Sequence, residues 1–226
     1  MNIAHCEIET VFDVQKDVVN LLIVENPEKF TEYCFDLKMQ FEGGEGNFAL
    51  SRDGKTLSFQ KTGIFFDNLF NLDFTDKKVS SLLVKKLEAN FAGGDFLLQF
   101  NELTAKISEF MQNLTDTTDL PVSFTEPDLT TLLKMVGVAV SADSNSLAEQ
   151  IICYLEIFIE LKNVQIATFV NLKSFLNDEQ LAYLYKFCAQ KDVSLLLLES
   201  SKLRPLLSGE KAVVITDDLC ELVENY

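Results

Sequence analysis

The chain has 226 residues, 47% of them apolar and 24% charged, which excludes a disordered protein and provides for a sizeable core. The net charge of −16 argues, taken by itself, against a nucleic-acid partner. Five cysteines, none in a CxxC motif or a Cys/His spacing typical of zinc, indicate free thiols in a reducing compartment.

The acidic charge is unevenly distributed along the chain. Between Arg52 and Lys106 there are eight basic and seven acidic residues, whereas the rest of the chain carries 11 and 28. A local basic surface is therefore compatible with the acidic total, although a charge run is also typical of a solvated face.

We expect neither a targeting segment nor a membrane segment in this sequence. The first residues lack the apolar segment of a signal peptide, and no apolar run reaches the ~18 residues of a membrane span. We therefore expect a soluble, cytoplasmic protein with no membrane partner.

The first 74 residues are typical of an α/β fold. Pro27 begins a helix that extends to about Met39. The dipeptide Asp53-Gly54 lies between two short alternating runs and predicts a β-hairpin. Strands are predicted at residues 3–9, 19–25 and 64–74.

The apolar period changes to 3.6 residues at Thr75 and persists for almost ninety residues, which predicts an all-helical insertion. In one of its helices the apolar positions recur at alternating steps of four and three. These positions are Phe96, Phe100, Leu103, Ile107, Phe110 and Leu114. A heptad seam of this length is too short for a free coiled coil and favours a helical hairpin. A short helix follows at 126–136.

The last helix of the insertion begins at a capping box formed by Ser146 and Glu149 and runs to about Leu161. It is apolar almost all round, so it lies either at the centre of a core or against another chain. Because a protein of this size has little room for a central helix, we expect a subunit interface. The candidate interface residues are Ile151, Leu155 and Phe158.

A βαβ unit is predicted next. Two apolar strands, 166–170 and 193–198, flank a helix that Asn177 caps, and strands that are apolar throughout are typical of a parallel sheet covered on both faces. Asn171 and Glu199 follow these strands, at the sheet edge where α/β proteins bind ligands. The alternative is that both residues merely end strands and bond to loop backbone.

Together these elements predict an α/β fold class. A parallel-sheet head (residues 1–74 and 163–226), with a last strand at 211–216, is interrupted by an all-helical leg (residues 75–162). Nucleotide-binding enzymes with such a head place GxxxxGK[ST] after the first strand, whereas this chain has Glu25-Asn26-Pro27. We therefore expect no nucleotide and no catalysis.

Two groups of charged residues are candidates for ligand binding. Four acidic residues before the short helix offer oxygen ligands for calcium, with helix capping and loop solvation as the alternative: Asp116, Asp119, Glu126 and Asp128. Scattered basic residues without aromatic partners suit phosphate contacts better than base reading: Lys78, Lys85, Lys55, Lys61, Arg52, Lys77 and Lys86. The one histidine, His5, has no partner pattern for a triad or a zinc site.

The order of these segments resembles one family, the Csn-type spacer-acquisition (adaptation) proteins of type II-A CRISPR systems. The most specific stretch is FVNLKSFLNDEQLAYL (169–184), which continues into VSLLLLE (193–199). LLKMVGVAV (132–140) is similar to the family's join between a short and a long helix, and LLIVEN followed by EKFTEYC is similar to its first strand and helix.

The resemblance implies a cytoplasmic homotetramer shaped as a ring. Each subunit would have a head similar to nucleotide-binding folds, without the phosphate loop, and a helical leg. Double-stranded DNA, entered at its ends, would pass through a lysine-lined hole, and calcium would support the assembly. In this chain Pro121, Ser123 and Thr125 replace part of the family's acid-rich loop at 116–128.

The hypothesis is a non-catalytic protein that binds double-stranded DNA ends without sequence preference during spacer acquisition, with antiviral defence as the outcome. The CRISPR integrase complex and the effector nuclease are candidate protein partners. Two alternatives are an NTP-binding or NTP-hydrolysing enzyme of the P-loop-like class and a protein-only scaffold of the acquisition complex. The strand and acid of AVVITDD (212–218) favour the first of these, because such enzymes hold magnesium in this way.

Overall fold

The computed structural model describes residues 1–15, 17–74, 76–140 and 146–225. Within these ranges the strands are β1 (Asn2–His5), β2 (Ile8–Asp13), β3 (Val19–Val24), β4 (Phe48–Arg52), β5 (Lys55–Leu57), β6 (Gly63–Phe66), β7 (Ile166–Val170), β8 (Ser194–Glu199), β9 (Glu210–Ile215) and β10 (Glu221–Asn225). The helices are α1 (Pro27–Glu42), α2 (Phe59–Thr62), α3 (Lys77–Phe91), α4 (Leu97–Thr115), α5 (Leu129–Met135), α6 (Leu147–Lys162) and α7 (Asp178–Gln190), with a 3₁₀ turn at Leu172–Ser174. In this part of the chain no helix is both long and apolar enough to cross a membrane.

The chain divides into two compact units. The head unit is Met1–Leu72 with Ala142–Tyr226, and the leg unit is Asp73–Ser141. The predicted first boundary, near residue 74, agrees with this division. The predicted second boundary, at 162, does not, because α6 belongs to the head unit and covers its sheet.

A six-stranded sheet organises the head unit, in the order β10-β9-β3-β8-β7-β6. Its strands are parallel except for β10, which pairs antiparallel with β9. Every residue of β3 and β8 is buried, as expected for strands covered on both faces. The α/β fold class and the βαβ unit predicted from the sequence are therefore confirmed.

The two faces of this sheet carry separate cores. Leu195 and Leu197 of β8 face α6 and α7, whereas Leu196 and Leu198 face α1 and a second, antiparallel sheet. The second sheet has the order β2-β1-β4-β5. Its hairpin turn is Asp53-Gly54, both with positive φ (51° and 74°), so the predicted hairpin is confirmed.

The predicted strands near the N-terminus needed two corrections. The single strand expected at 3–9 is a hairpin, because β1 and β2 pair antiparallel. The strand expected at 64–74 ends at Phe66. There Asn68 accepts the backbone N–H of Phe70 through its side-chain oxygen (3.0 Å) and turns the chain.

Helix α6 does not offer the interface residues that we expected from its sequence. Ile151 and Leu155 are fully buried and Phe158 is almost so, all within one chain. The expectation was wrong because it assumed that a protein of this size has little room for a central helix. The sheet face shared by α6 and α7 needs an apolar cover, and α6 supplies part of it.

The leg unit is loosely packed by comparison. Among its described residues only Val79 of α3 and Leu132 of α5 are buried, and these two helices pack against each other. Helix α4 has no buried residue at all, and its heptad seam is largely open to solvent. One aromatic contact links α3 to α4, since the rings of Phe91 and Phe100 lie 5.1 Å apart.

Candidate functional site

Asn171 lies at the carboxyl edge of the parallel sheet and orders the backbone there. It adopts a left-handed conformation (φ 53°), donates its backbone N–H to the carbonyl of Leu198 (2.8 Å) and accepts the N–H of Ser200 through its side-chain oxygen (2.9 Å). Asparagine tolerates this conformation better than most residues. The geometry supports the alternative role for Asn171, which was ending a strand and bonding to loop backbone.

Glu199, the second residue at this edge, is only 1% exposed. Its Oε1 accepts the backbone N–H of Lys173 (3.0 Å), while its Oε2 is buried without a hydrogen-bond partner among the described residues. Burial is the main cause that raises the pKa of this carboxyl to about 7, and nearby Glu210 raises it further. An orphan carboxylate oxygen in a protein interior is unusual and costly.

Glu210, at the amino end of β9, is buried but fully bonded. Its Oε2 pairs with Lys173 Nζ (2.6 Å) and accepts the N–H of Leu207 (2.7 Å), and its Oε1 accepts the hydroxyl of Tyr185 (2.7 Å). Burial and the adjacent Glu210 raise the pKa of Tyr185, so its hydroxyl remains a donor. The sequence analysis missed this cluster. Its only signal was a lysine three residues after the end of the largely apolar strand β7.

Arg204 fastens the loop between β8 and β9 to the start of α7. Its Nη1 pairs with Asp178 (2.6 Å), and its Nη2 donates to the carbonyls of Leu176 (2.7 Å) and Lys173. The guanidinium of Arg204 thus holds separate chain segments together. This part of the head is built as a structural joint.

The position of a phosphate loop, between β3 and α1, is taken by Asn26. Its side-chain oxygen accepts the N–H groups of Glu28 and Lys29 (3.1 Å each), and its side-chain amide donates to the carbonyl of Asp217 (3.2 Å). These helix N–H groups are the ones that a bound phosphate would use. Their occupation by Asn26 fits the missing GxxxxGK motif.

His5 is part of the core of the head. Its ring lies 4.6 Å from that of Tyr33 and 4.5 Å from that of Phe48, and its Nδ1 accepts the N–H of Glu7 (3.2 Å). Burial lowers the pKa of this imidazole, although Asp36 opposes the shift.

The basic candidates fall into two sets, one in each unit. In the head unit they lie at the hairpin and α2, and all are exposed: Arg52, Lys55 and Lys61. In the leg unit they lie on α3, with Lys77 and Lys85 exposed and Lys86 half-buried. The side chain of Lys78 lies outside the described residues.

The leg unit also brings a further lysine close to this second set. A cavity of about 480 Å³ between α3 and α5 is lined by Lys85 on one side and Lys134 on the other, with Ser81, Glu88 and Thr130 beside them. Lys134 was missed from the sequence because it stands alone in an apolar stretch. Only the packing of α5 on α3 places it near Lys85.

The four acidic residues do not form a metal site in the part of the chain that the structure describes, where no cluster of three metal-binding side chains occurs. Asp128 caps α5 by accepting the N–H of Thr131 (2.7 Å), and this hydrogen bonding lowers its pKa. Asp116 accepts the side-chain amide of Gln112 (2.7 Å). Asp119 and Glu126 are exposed in the connecting loop. The predicted calcium ligands therefore do not fit one ion, and the helix-capping alternative describes Asp128.

A family model with the description CRISPR-associated protein (Cas_Csn2) matches residues 40–219, which include both boundaries of the leg unit and strands β4 to β9. No individual curated protein matches the chain.

Proposed function

The chain belongs to the Csn2 family of CRISPR-associated proteins, the adaptation proteins of type II-A systems, and from this premise we propose that it binds double-stranded DNA ends during spacer acquisition. In this proposal the protein is not an enzyme. It acts as a ring-shaped homotetramer around the duplex, without reading base sequence.

The observation that carries the DNA proposal is the contrast between paired and unpaired basic side chains. Several lysines elsewhere in the head are held by carboxylates: Lys29 by Glu7 and Glu32, Lys38 by Asp67, and Lys191 by Glu156. Lys186 and Lys211 are exceptions, since they are exposed and have no ion pair among the described residues. In the charge-balanced segment 52–106, five candidates have no ion pair among the described residues. These are Arg52, Lys55, Lys61, Lys77 and Lys85.

Unpaired lysines suit a phosphate backbone because they do not have to give up a carboxylate partner on binding. Each phosphate contact releases counterions from the duplex, and this term is independent of sequence. A chain with a net charge of −16 repels DNA at long range, but salt limits that repulsion to a Debye length of about 10 Å. A ring would place several copies of the same lysines around one duplex while its acidic surfaces face away.

The uncovered seam of α4 supports the oligomer. Phe96, Leu103 and Phe110 recur every seven residues and are 49–63% exposed, and Leu114 extends the same stripe. An apolar stripe of this length is normally covered by a partner helix. We assign that role to other copies of the chain, with the tetramer as the closed assembly.

The proposal assigns no role to calcium. The family resemblance implies it, but the acidic residues at 116–128 do not come together within one chain. The integrase complex and the effector nuclease remain proposed partners, for which no surface is assigned.

The decisive experiment compares linear duplex with a closed circle of the same length and sequence at low salt. We expect the native oligomer to bind linear DNA and to bind the closed circle far more weakly, and linearising the circle should restore binding. Equal affinity for both would remove the requirement for ends. Failure to bind either one would leave the protein-only scaffold as the function.

The variant Lys55→Ala/Lys61→Ala tests the head set in the same assay, with Lys191→Ala as the control. All three lysines are exposed or half-exposed, but Lys191 is already paired with Glu156 (2.9 Å). We expect the double variant to weaken binding to every linear duplex alike and the control to bind as the native chain does.

A further inference from the structure

The loop between β8 and β9, residues 200–209, is here called the crossover loop. It has to pass over β3, because β3 lies between β8 and β9 in the sheet, and it does so without a helix of its own. Arg204 ties the middle of the loop to α7 and the 3₁₀ turn, and Leu207 ties its end to Glu210. The loop begins directly after Glu199.

Charged and titratable groups face Glu199 from each neighbouring element. They are Lys173 from the 3₁₀ turn, Arg204 from the crossover loop, Glu210 from β9 and, beyond Glu210, Tyr185 from α7. The two cations have other partners. Lys173 Nζ binds Glu210 (2.6 Å), and the guanidinium of Arg204 is taken up by Asp178 and two backbone carbonyls.

Glu199 therefore ends the strand with Oε1 bonded to the N–H of Lys173 and with Oε2 buried and without a hydrogen-bond partner in the part of the chain that the structure describes. A proton on that carboxyl removes the charge and leaves the packing intact. Without the proton, a carboxylate is enclosed beside a second buried carboxylate, Glu210, whose own hydrogen bonds hold the loop. The ionised form is the one that burial disfavours.

We propose that Glu199 is a proton-dependent latch for the crossover loop. With the proton bound, the loop is closed against α7 and β9. When the proton is lost, the carboxylate gains by reaching water, and it does so by loosening the loop that starts at the next residue. This inference is independent of the proposed DNA binding.

The direction of the pH effect follows from the raised pKa. Glu199 titrates at about 7 in the folded chain, and the ordinary glutamate value is 4.5, so between these values the folded chain binds more protons than the unfolded chain. The contribution of Glu199 to the free energy of unfolding is therefore fully present at low pH and is lost as the pH rises towards 7. The ratio of folded to unfolded chains should fall by up to about 10-fold per pH unit in this window.

The first test is denaturant unfolding between pH 5 and pH 8 for the native chain and for Glu199→Gln, which cannot ionise. We expect the native chain to lose stability relative to the variant across pH 5–7. Glu221→Gln is the matched control, because Glu221 also accepts backbone N–H groups (Glu9 at 2.7 Å and Thr10 at 2.9 Å) but is not enclosed. Parallel curves for native chain and Glu199→Gln would overturn the latch.

The second test locates the loosening. Trypsin cleaves after Lys202 in the crossover loop but not after Arg204, which Pro205 follows. We expect cleavage at Lys202 in the native chain, relative to Glu199→Gln at the same pH, to rise about 10-fold from pH 6 to pH 8. A constant ratio would contradict the proposal.

A third measurement needs no variant. The carboxyl ¹³C signal of Glu199 in the native protein should titrate with a midpoint near 7, and a midpoint near 4.5 would overturn the latch even if Glu199→Gln failed to fold.

Discussion

The head and leg units are built on opposite principles. The head encloses two apolar cores and a bonded polar cluster, and its central strands are buried along their whole length. The leg has two buried side chains among its described residues and one helix, α4, with none. The difference indicates that the head is stable through its own packing, whereas the leg leaves much of its apolar surface exposed, and the proposed oligomer would cover that surface.

The largest expected effect is on the head core. Leu155→Ala removes a fully buried side chain from the face shared by α6 and α7, and we expect it to lower the free energy of unfolding by about 2–5 kcal/mol. Circular dichroism during denaturant unfolding measures this loss. If Leu155→Ala instead dissociates the oligomer without lowering the stability of the subunit, Leu155 lies at the subunit interface that the sequence predicted on α6 and not in the core of the head.

The seam of α4 should respond in the opposite way. Leu103→Glu/Phe110→Glu places charges on an exposed face, so we expect the head to unfold at the same denaturant concentration while the assembly separates into monomers of 25.5 kDa. Light scattering at micromolar concentration reports the mass. Glu102→Gln/Glu109→Gln, on the same helix one residue before each position, is the control that should leave the assembly intact. A native chain that is monomeric at this concentration would contradict the ring.

The lysines of α3 test whether the leg contributes to DNA binding. Lys77→Ala/Lys85→Ala removes two exposed charges that have no ion pair within the described ranges. The logarithm of affinity should then fall less steeply with the logarithm of salt, by about 0.9 for each phosphate that the variant no longer neutralises. Binding titrations at several salt concentrations give the slope. An unchanged slope would indicate that, of the two sets of basic residues, only the head set (Arg52, Lys55 and Lys61) contacts DNA.

The smallest expected effect compares one helix cap in each unit. Asn177→Ala breaks the capping box of α7 and should cost the head about 1 kcal/mol in cooperative unfolding. Asp128→Ala removes the cap of α5, and because the leg contributes little to that transition we expect no change in its midpoint. Equal losses from both variants would show that the two units unfold together.

The elements that the sequence predicted correctly are those fixed by local chemistry. Asn177 with Gln180 starts α7, and Asp53-Gly54 turns the hairpin, because each depends on residues within a few positions of one another. The position of α6 depends on which apolar surface it packs against. The sequence of an apolar helix does not indicate whether that surface belongs to the same chain or to another. Periodicity shows that a face is covered, not what covers it.

The candidate site shows the same limit more sharply. The sequence placed Glu199 at the carboxyl edge of the sheet but gave no sign that Lys173 and Glu210 would come close to it. Their meeting depends on the register of β8 and β9 on either side of β3, which no short motif encodes. The acidic residues at 116–128 are the reverse case, since they are close along the chain but do not form a cluster of three metal-binding side chains in the described structure.

The position of β3 has a consequence for biosynthesis. This strand hydrogen-bonds on both sides to the last part of the chain, and Val19 pairs with Glu210 about 190 residues later. The central sheet therefore cannot close until β9, which ends at Ile215, has left the ribosome, while the leg helices need only nearby residues to form. During synthesis an apolar strand at the N-terminus thus stays without its neighbours, and it is the segment that a chaperone would have to shield.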